Sequence, residues 1–254
     1  MIIKQAEESG HWYTRDGAPQ YTIEGKNGRR NTTLRDARKH DLVPSVTTLL
    51  NILAKPGLTT WLQQQVLLAA LTLPRQTDEA EADYIARILS DAKAQGKAAA
   101  DAGTSIHGAI QAYYEGKASW EHELHTKGCT DAMDAYFGKQ DWVCERSFAH
   151  EIGYGGRCDL YSIGTPENPD GFVIDIKTKE FSNPKDVTGY DEHLMQLAAY
   201  RVGLGVPSAR CANVYVSRSV PGLSFVREWD KEELDNAWIR FLLLVNYWKL
   251  KNGI

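Results

Sequence analysis

Gly155-Gly156-Arg157-Cys158-Asp159-Leu160, a turn-rich spacer, and then Phe172-Val173-Ile174-Asp175-Ile176-Lys177-Thr178 decide the fold of this chain. Both segments read as strands. Gly164-Thr165-Pro166-Glu167-Asn168-Pro169-Asp170-Gly171 reads as the long turn between them. Successive side chains of a strand point to opposite faces. Asp175 and Lys177 therefore share one face of the second strand, and Arg157, Asp159 and Tyr161 share one face of the first. Antiparallel pairing through the turn brings Asp159 close to Asp175. Two adjacent carboxylates repel unless a cation joins them, and an oxygen-rich site suits Mg2+ or Mn2+.

Outward from this pair, residues 143–149 form a preceding strand, and 211–217 and 223–228 form two more, joined at Pro221-Gly222. A helix over 191–204 stops at Gly205-Val206-Pro207. Asp230 caps a last helix, with Glu233 in the capping-box position. Its core stripe is Leu234, Trp238, Phe241, Leu242, Val245 and Trp248. Upstream the period is helical: 58–73 before Pro74, a second run to about Ala94, a third from Lys97 through His107 to about Glu115, and a fourth over 119–137. Nearer the N-terminus, His11-Trp12-Tyr13-Thr14 and Gln20-Tyr21-Thr22-Ile23 flank Asp16-Gly17-Ala18-Pro19 as a hairpin. A basic loop follows. Ser45 then caps a short helix over 46–53. This order implies an α/β fold: a central mixed sheet flanked by helices, with an N-terminal hairpin and a helical subdomain. The expected divisions are 1–57, a helical cap over 58–140 and a core over 141–254, integrated as one unit.

The 254 residues are 43% hydrophobic and 24% charged, a globular composition. No apolar run approaches the ~18–20 residues of a membrane span. The first residues lack a signal or transit character, so a cytoplasmic setting without membrane partners is expected. Cys129, Cys144, Cys158 and Cys211 include no C-x-x-C pair and are expected to be reduced thiols rather than zinc or iron–sulfur ligands. The formal net charge of −4 does not advertise a polyanion binder, but its distribution matters more than the sum. Lys26, Arg29, Arg30, Arg35, Arg38 and Lys39 crowd one segment opposed only by Asp36. That segment is either a phosphate-binding surface or a solvated loop.

A metal held by Asp159 and Asp175 polarises a phosphate and lowers the pKa of a bound water. Lys177 orients that water or offsets charge developing on the phosphate. Glu145, in phase with Ser147 and Ala149, offers an additional acid or a surface ion pair. Arg157 is a phosphate contact or the ion-pair partner of Asp159. Ser45, Thr47 and Thr48 offer hydroxyl donors to phosphate, although capping explains Ser45 equally well. Gln196 and Tyr200, four residues apart, share a helix face with His193 beside them.

Gly156-Arg157-Cys158-Asp159 followed by Ile174-Asp175-Ile176-Lys177-Thr178 resembles the PD-(D/E)XK nuclease signature in its RecB-branch form. Gly103-Thr104-Ser105-Ile106-His107 resembles the upstream helix whose histidine ligates the metal in that branch. Gln196-Leu197-Ala198-Ala199-Tyr200 resembles the Q-x-x-x-Y helix that follows the lysine. Pro44-Ser45-Val46-Thr47-Thr48-Leu49-Leu50 is similar to a segment of mitochondrial genome maintenance exonucleases and their phage relatives. The resemblance runs discontinuously from about Pro44 to Tyr200. It implies a restriction-endonuclease-like core and a Mg2+-dependent DNA exonuclease, with Mn2+ able to substitute. It also implies His107, Asp159, Asp175 and the Ile176 carbonyl as metal ligands, Lys177 as the catalytic lysine, and Gln196 and Tyr200 as groups that order the lysine, water or phosphate. The substrate implied is DNA, single-stranded or with a free end, in replication, recombination or repair, alongside a recombination or replication partner protein. Resection of duplex ends in the manner of the phage lambda exonuclease, and a catalytically silent DNA-binding subunit, are the alternatives. The second acid is Asp rather than the commoner Glu. The cysteines of iron–sulfur members are missing, so no cluster is expected.

Overall fold

Five strands in the order β5-β6-β7-β8-β9 make the sheet on which the rest of the chain is built. The computed structural model describes residues 10–117, 120–166 and 168–253. The reading of the first nine residues, Ser119 as a helix start and Glu167 in the turn lie outside the described residues. In chain order the elements are β1 (Trp12–Tyr13), β2 (Thr22–Gly25), β3 (Gly28–Asn31), α1 (Leu34–His40), β4 (Val43–Pro44), α2 (Val46–Leu50), α3 (Pro56–Thr72), α4 (Glu81–Tyr114) and α5 (Glu123–Phe137). Then follow β5 (Trp142–His150), β6 (Tyr154–Ser162), β7 (Phe172–Lys179), α6 (Asp191–Gly203), β8 (Arg210–Ser217), β9 (Ser224–Trp229) and α7 (Lys231–Asn252).

The sheet is mixed. β6 runs antiparallel to both β5 and β7, β8 returns parallel to β7 through α6, and β9 is antiparallel to β8. Apolar side chains cover both faces. Leu197 and Ala198 of α6, Phe241 and Val245 of α7, and Val46 and Leu49 of α2 pack with Val173 and Cys211 on one face. Ile106 and Ile110 of α4 and Met133 and Phe137 of α5 pack with Leu160, Ile174, Ile176 and Val214 on the other. Cys158 and Cys211 fill the first core and Cys129 the second, as small apolar groups. No described helix is long and apolar enough to cross a membrane.

The chain departs from its sequence reading in three places. The two helical runs before Glu115 are one 34-residue helix, α4. Gly96 does not break it, because the Trp61 ring packs over that position 3.7 Å from where a Cβ would stand. The expected hairpin around Asp16-Gly17 forms only an isolated bridge, Tyr13 to Pro19. β1 pairs with β4 instead, and the N-terminal hairpin is β2–β3, whose second strand lies, with the helix α1, in the segment read as a basic loop. Finally, Arg157 and Tyr161 do not share a face. Trp142, Cys144 and Leu160 pack on the α4–α5 core, whereas Phe148, Tyr154 and Cys158 pack on the α6–α7 core. The alternation reverses at the level of Glu145 and Asp159, where Glu145 adopts φ +55°.

Candidate metal and phosphate site

The β6–β7 ladder is registered Leu160 to Ile174, which puts Asp159 opposite Asp175 at its end. There the Asp159 side chain takes over from the ladder. Its Oδ2 accepts the Ile176 N–H at 2.6 Å. The β5–β6 register likewise puts Glu145 across from Asp159, and the β7–β8 register puts Asp175 beside Asn213. A polar row therefore crosses the sheet at one level: Glu145, Asp159, Asp175 and Asn213.

His107 reaches this row from α4, with Nε2 3.1 Å from Asp159 Oδ2. Gly103, one turn earlier, lets α4 approach β7, because a Cβ there would stand 2.6 Å from Thr178 Oγ1. Ligand atoms of His107, Glu145 and Asp159 all lie within 4.8 Å of one another. Among the described residues this is the one His, Cys, Asp and Glu group so arranged. Its donors are one imidazole and two carboxylates, with no thiolate, a set that can hold a divalent metal ion. It shares His107 and Asp159 with the set implied by the resemblance and adds Glu145, which also ion-pairs with Arg157. Asp175 is engaged otherwise. Its oxygens meet Lys177 Nζ at 2.9 and 2.8 Å, and Asn213 Nδ2 donates to Oδ2 at 2.8 Å.

Lys177 continues into α6. Its Nζ donates to Gln196 Oε1 at 3.0 Å, and Gln196 Nε2 donates to the Tyr200 hydroxyl at 2.8 Å. Asn213 extends the string the other way, accepting the Trp229 indole N–H at 2.8 Å. An indole nitrogen only donates, so this bond fixes the Asn213 amide with its NH2 toward Asp175. Asn213 and Trp229 are members of the site that sequence reading missed. Their signal was weak: a fully buried asparagine in an apolar strand, one register step from a strand acid.

The charges here are unevenly settled. Burial pushes the Asp175 carboxyl above its ordinary range despite Lys177, with Asp159 adding to the rise. Burial also opposes ionisation of Asp159, but the His107 hydrogen bond, the charges of His107 and Lys177, and the Ile176 N–H outweigh it and hold its pKa below the usual range. Burial raises Glu145. The hydrogen bond to Asp159 raises His107.

Above the row lies a cleft of about 160 Å3. His11, Tyr13, Tyr21, Ser45 and Thr47 form one wall, and His107, Glu145, Arg157, Asp159 and Tyr200 line the rest. The His11 and Tyr21 rings stack at 4.4 Å, and the Tyr13 and Tyr21 hydroxyls meet at 2.6 Å. The wall is seated by a bridge from Ser45 to Gly155. Ser45 Oγ caps α2 through the Thr48 N–H at 3.0 Å and also meets the Thr47 and Thr48 hydroxyls. The N-terminal arginines lie elsewhere: none of Arg29, Arg30, Arg35 and Arg38 lines the cleft. Arg29 donates to Thr22 Oγ1, Arg30 grips Asp36 with two bonds, and Arg38 binds the Asn252 carbonyl.

No protein-family model and no curated protein matches the sequence. Among solved structures, SSO0001 is similar over 74% of this chain and 86% of its own, at 16% identity and a TM-score of 0.31. A protein described as a "putative exonuclease" from Eubacterium rectale is similar over 60% of this chain and 68% of its own, at 11% identity and a TM-score of 0.40.

Proposed function

We propose that this protein is a divalent-cation-dependent DNA exonuclease of the PD-(D/E)XK type, acting on single-stranded ends. The observation that supports it best is the meeting of two groups on one sheet level: His107, Glu145 and Asp159 within 4.8 Å, and Asp175 bound to Lys177 beside them. A metal site alone suits many chemistries. A metal site next to a lysine held by a carboxylate and a glutamine suits phosphodiester hydrolysis, where an anionic centre gains charge as it reacts.

His107, Glu145 and Asp159 would hold the ion. Asp175 and the Ile176 carbonyl join them on the resemblance; the Ile176 N–H already faces Asp159, and the carbonyl of a strand residue points to the same side as its N–H. Bound there, a divalent cation supplies charge neutralisation at the phosphate and a water of lowered pKa. Lys177 presents its ammonium to the same space, where it offsets charge on the phosphate oxygens. Gln196 fixes the direction of that ammonium, and Tyr200 fixes Gln196. Arg157 contacts the strand at the cleft mouth. The narrow aromatic cleft admits an unpaired nucleotide more readily than a duplex.

Incubation with end-labelled single- and double-stranded DNA in Mg2+, Mn2+ or EDTA tests the reading. The expected result is cation-dependent release of nucleotides from single strands, lost in Asp175→Ala and Lys177→Ala. Cleavage in EDTA, or full activity of both variants, would sink it. Cation-dependent binding without cleavage would favour the silent DNA-binding subunit.

A further inference from the structure

Beyond Lys177, on the side away from the aromatic cleft, several cations gather without a carboxylate partner. Lys179 lies two residues along β7 and so on the same face as Lys177. Its Nζ sits 3.6 Å from the Tyr190 ring centroid and 5.5 Å from that of Tyr215. Its hydrogen bond goes to the Thr188 carbonyl at 3.0 Å. Arg218 is joined to it through the backbone, with its N–H donating to the Lys179 carbonyl at 2.7 Å. The Arg218 guanidinium reaches the Ala99 carbonyl of α4 at 2.5 Å. Arg227 lies over the Trp229 ring at 4.1 Å and flanks Gly189. Lys55, just before α3, donates to Asn51. None of the four forms an ion pair among the described residues. Glu192 is the acid whose field reaches Lys179.

The start of α3 comes to the same place, since a Cβ on Gly57 would stand 3.5 Å from the hydroxyl of Tyr190, the ring under Lys179. In keeping with this, His193 has its pKa lowered to about 3, first by burial and then by the charges of Lys177, Lys179 and Lys55. Burial also lowers Lys179 to about 8. A half-buried ammonium with only a carbonyl and two ring faces around it is short of an anion. The chain as a whole is net acidic at −4, so this cluster runs against the overall charge. The N-terminal arginines offer no rival in line with the metal-site cleft.

We propose that Lys55, Lys179, Arg218 and Arg227 form a binding site for the sugar–phosphate backbone of the DNA strand beyond the bond that is cut. The strand then runs from the aromatic cleft, across Lys177, to these cations beneath α3 and α4. This deepens the nuclease reading and rests on it. Phosphates are the fitting anion because Lys179 follows Lys177 on the same strand face, and because successive phosphates along a strand suit several separate cations rather than one pocket.

The test is fluorescence anisotropy of a labelled single-stranded oligonucleotide in EDTA, where nothing turns over, titrated with salt. Each lost phosphate contact flattens the logarithmic salt slope by about 0.7 on a single strand. The Lys55→Gln/Lys179→Gln double variant is expected to flatten it by about 1.4 and to weaken binding at low salt. Because Lys179 is half-buried, a Lys55→Gln/Arg227→Gln variant is measured alongside, with the same expectation, and thermal melting checks that both are folded. Lys179→Arg should restore most of the lost affinity. Folded variants with the wild-type slope and affinity overturn the site, and cleavage by the wild type would leave the nuclease reading standing. Binding that depends on these cations, without cleavage by the wild type, supports the site and overturns the nuclease. A wild type that binds no DNA overturns both.

Discussion

Asp159 is the residue on which the site turns. It ends a ladder, caps the next strand's N–H and meets a histidine from another layer, all with one carboxylate. Asp175 is better supported but less free, because Asn213 holds it from behind. Asn213→Ala leaves the buried Trp229 indole N–H without its partner, at a cost of about 1–3 kcal/mol, and leaves Asp175 Oδ2 with Lys177 alone. If Asn213 positions the acid, kcat for DNA cleavage also falls about 10- to 100-fold with KM little changed, under conditions where the variant is folded. A loss of stability with unaltered kcat would reduce Asn213 to a structural residue. The acids and Lys177 were legible because strand period places side chains without knowledge of the partner. Glu145 was harder to place. Its left-handed backbone reverses the alternation, and nothing in Cys144-Glu145-Arg146 announces a positive φ at a non-glycine residue.

At the scale of elements, the five strands of the central sheet and the last two helices follow their sequence signals closely. Asp230 and Glu233 form the capping box they suggest, and Ser45 caps α2. The single helix α4 was not legible, since Gly96, Gly103 and Thr104-Ser105 weaken local helix propensity and only tertiary contacts explain them. Two other helical glycines separate these effects. Gly128 of α5 faces the β8–β9 turn, and a Cβ there would stand 2.3 Å from the Gly222 carbonyl oxygen. Gly108 of α4 has open space around it. Gly108→Ala should therefore stabilise the protein by up to about 1 kcal/mol through helix propensity. Gly128→Ala should destabilise it by about 1–3 kcal/mol through overpacking. Urea denaturation reads both, and equal effects of the same sign would show that α5 is not docked against that turn as described. The β2–β3 hairpin was misread for a related reason: the chain does turn at Asp16-Gly17, but β1 takes β4 as its partner and leaves β2 to pair with β3.

Across the whole molecule, the two cores sandwich one sheet, and the acids emerge where β5, β6 and β7 lose their regular pairing. That break lets His107, from the α4–α5 layer, meet carboxylates whose neighbours Lys177 and Gln196 belong to the α6 layer. Sequence alone singled out His107, Glu145, Asp159, Asp175, Lys177 and Gln196 but not this passage through the sheet, because it depends on the reversal at Glu145. Net charge says little about strand binding, since the cations proposed to meet the backbone are few and local. Catalysis at this centre requires that His107, Glu145 and Asp159 hold a divalent cation. Calorimetric titration of the DNA-free protein with Mn2+ measures this directly. The wild type should bind the ion, Asp159→Asn and Glu145→Gln should each weaken binding at least about tenfold as the loss of a ligand demands, and Lys177→Ala should still bind it. Wild-type Mn2+ affinity in Asp159→Asn would contradict the account.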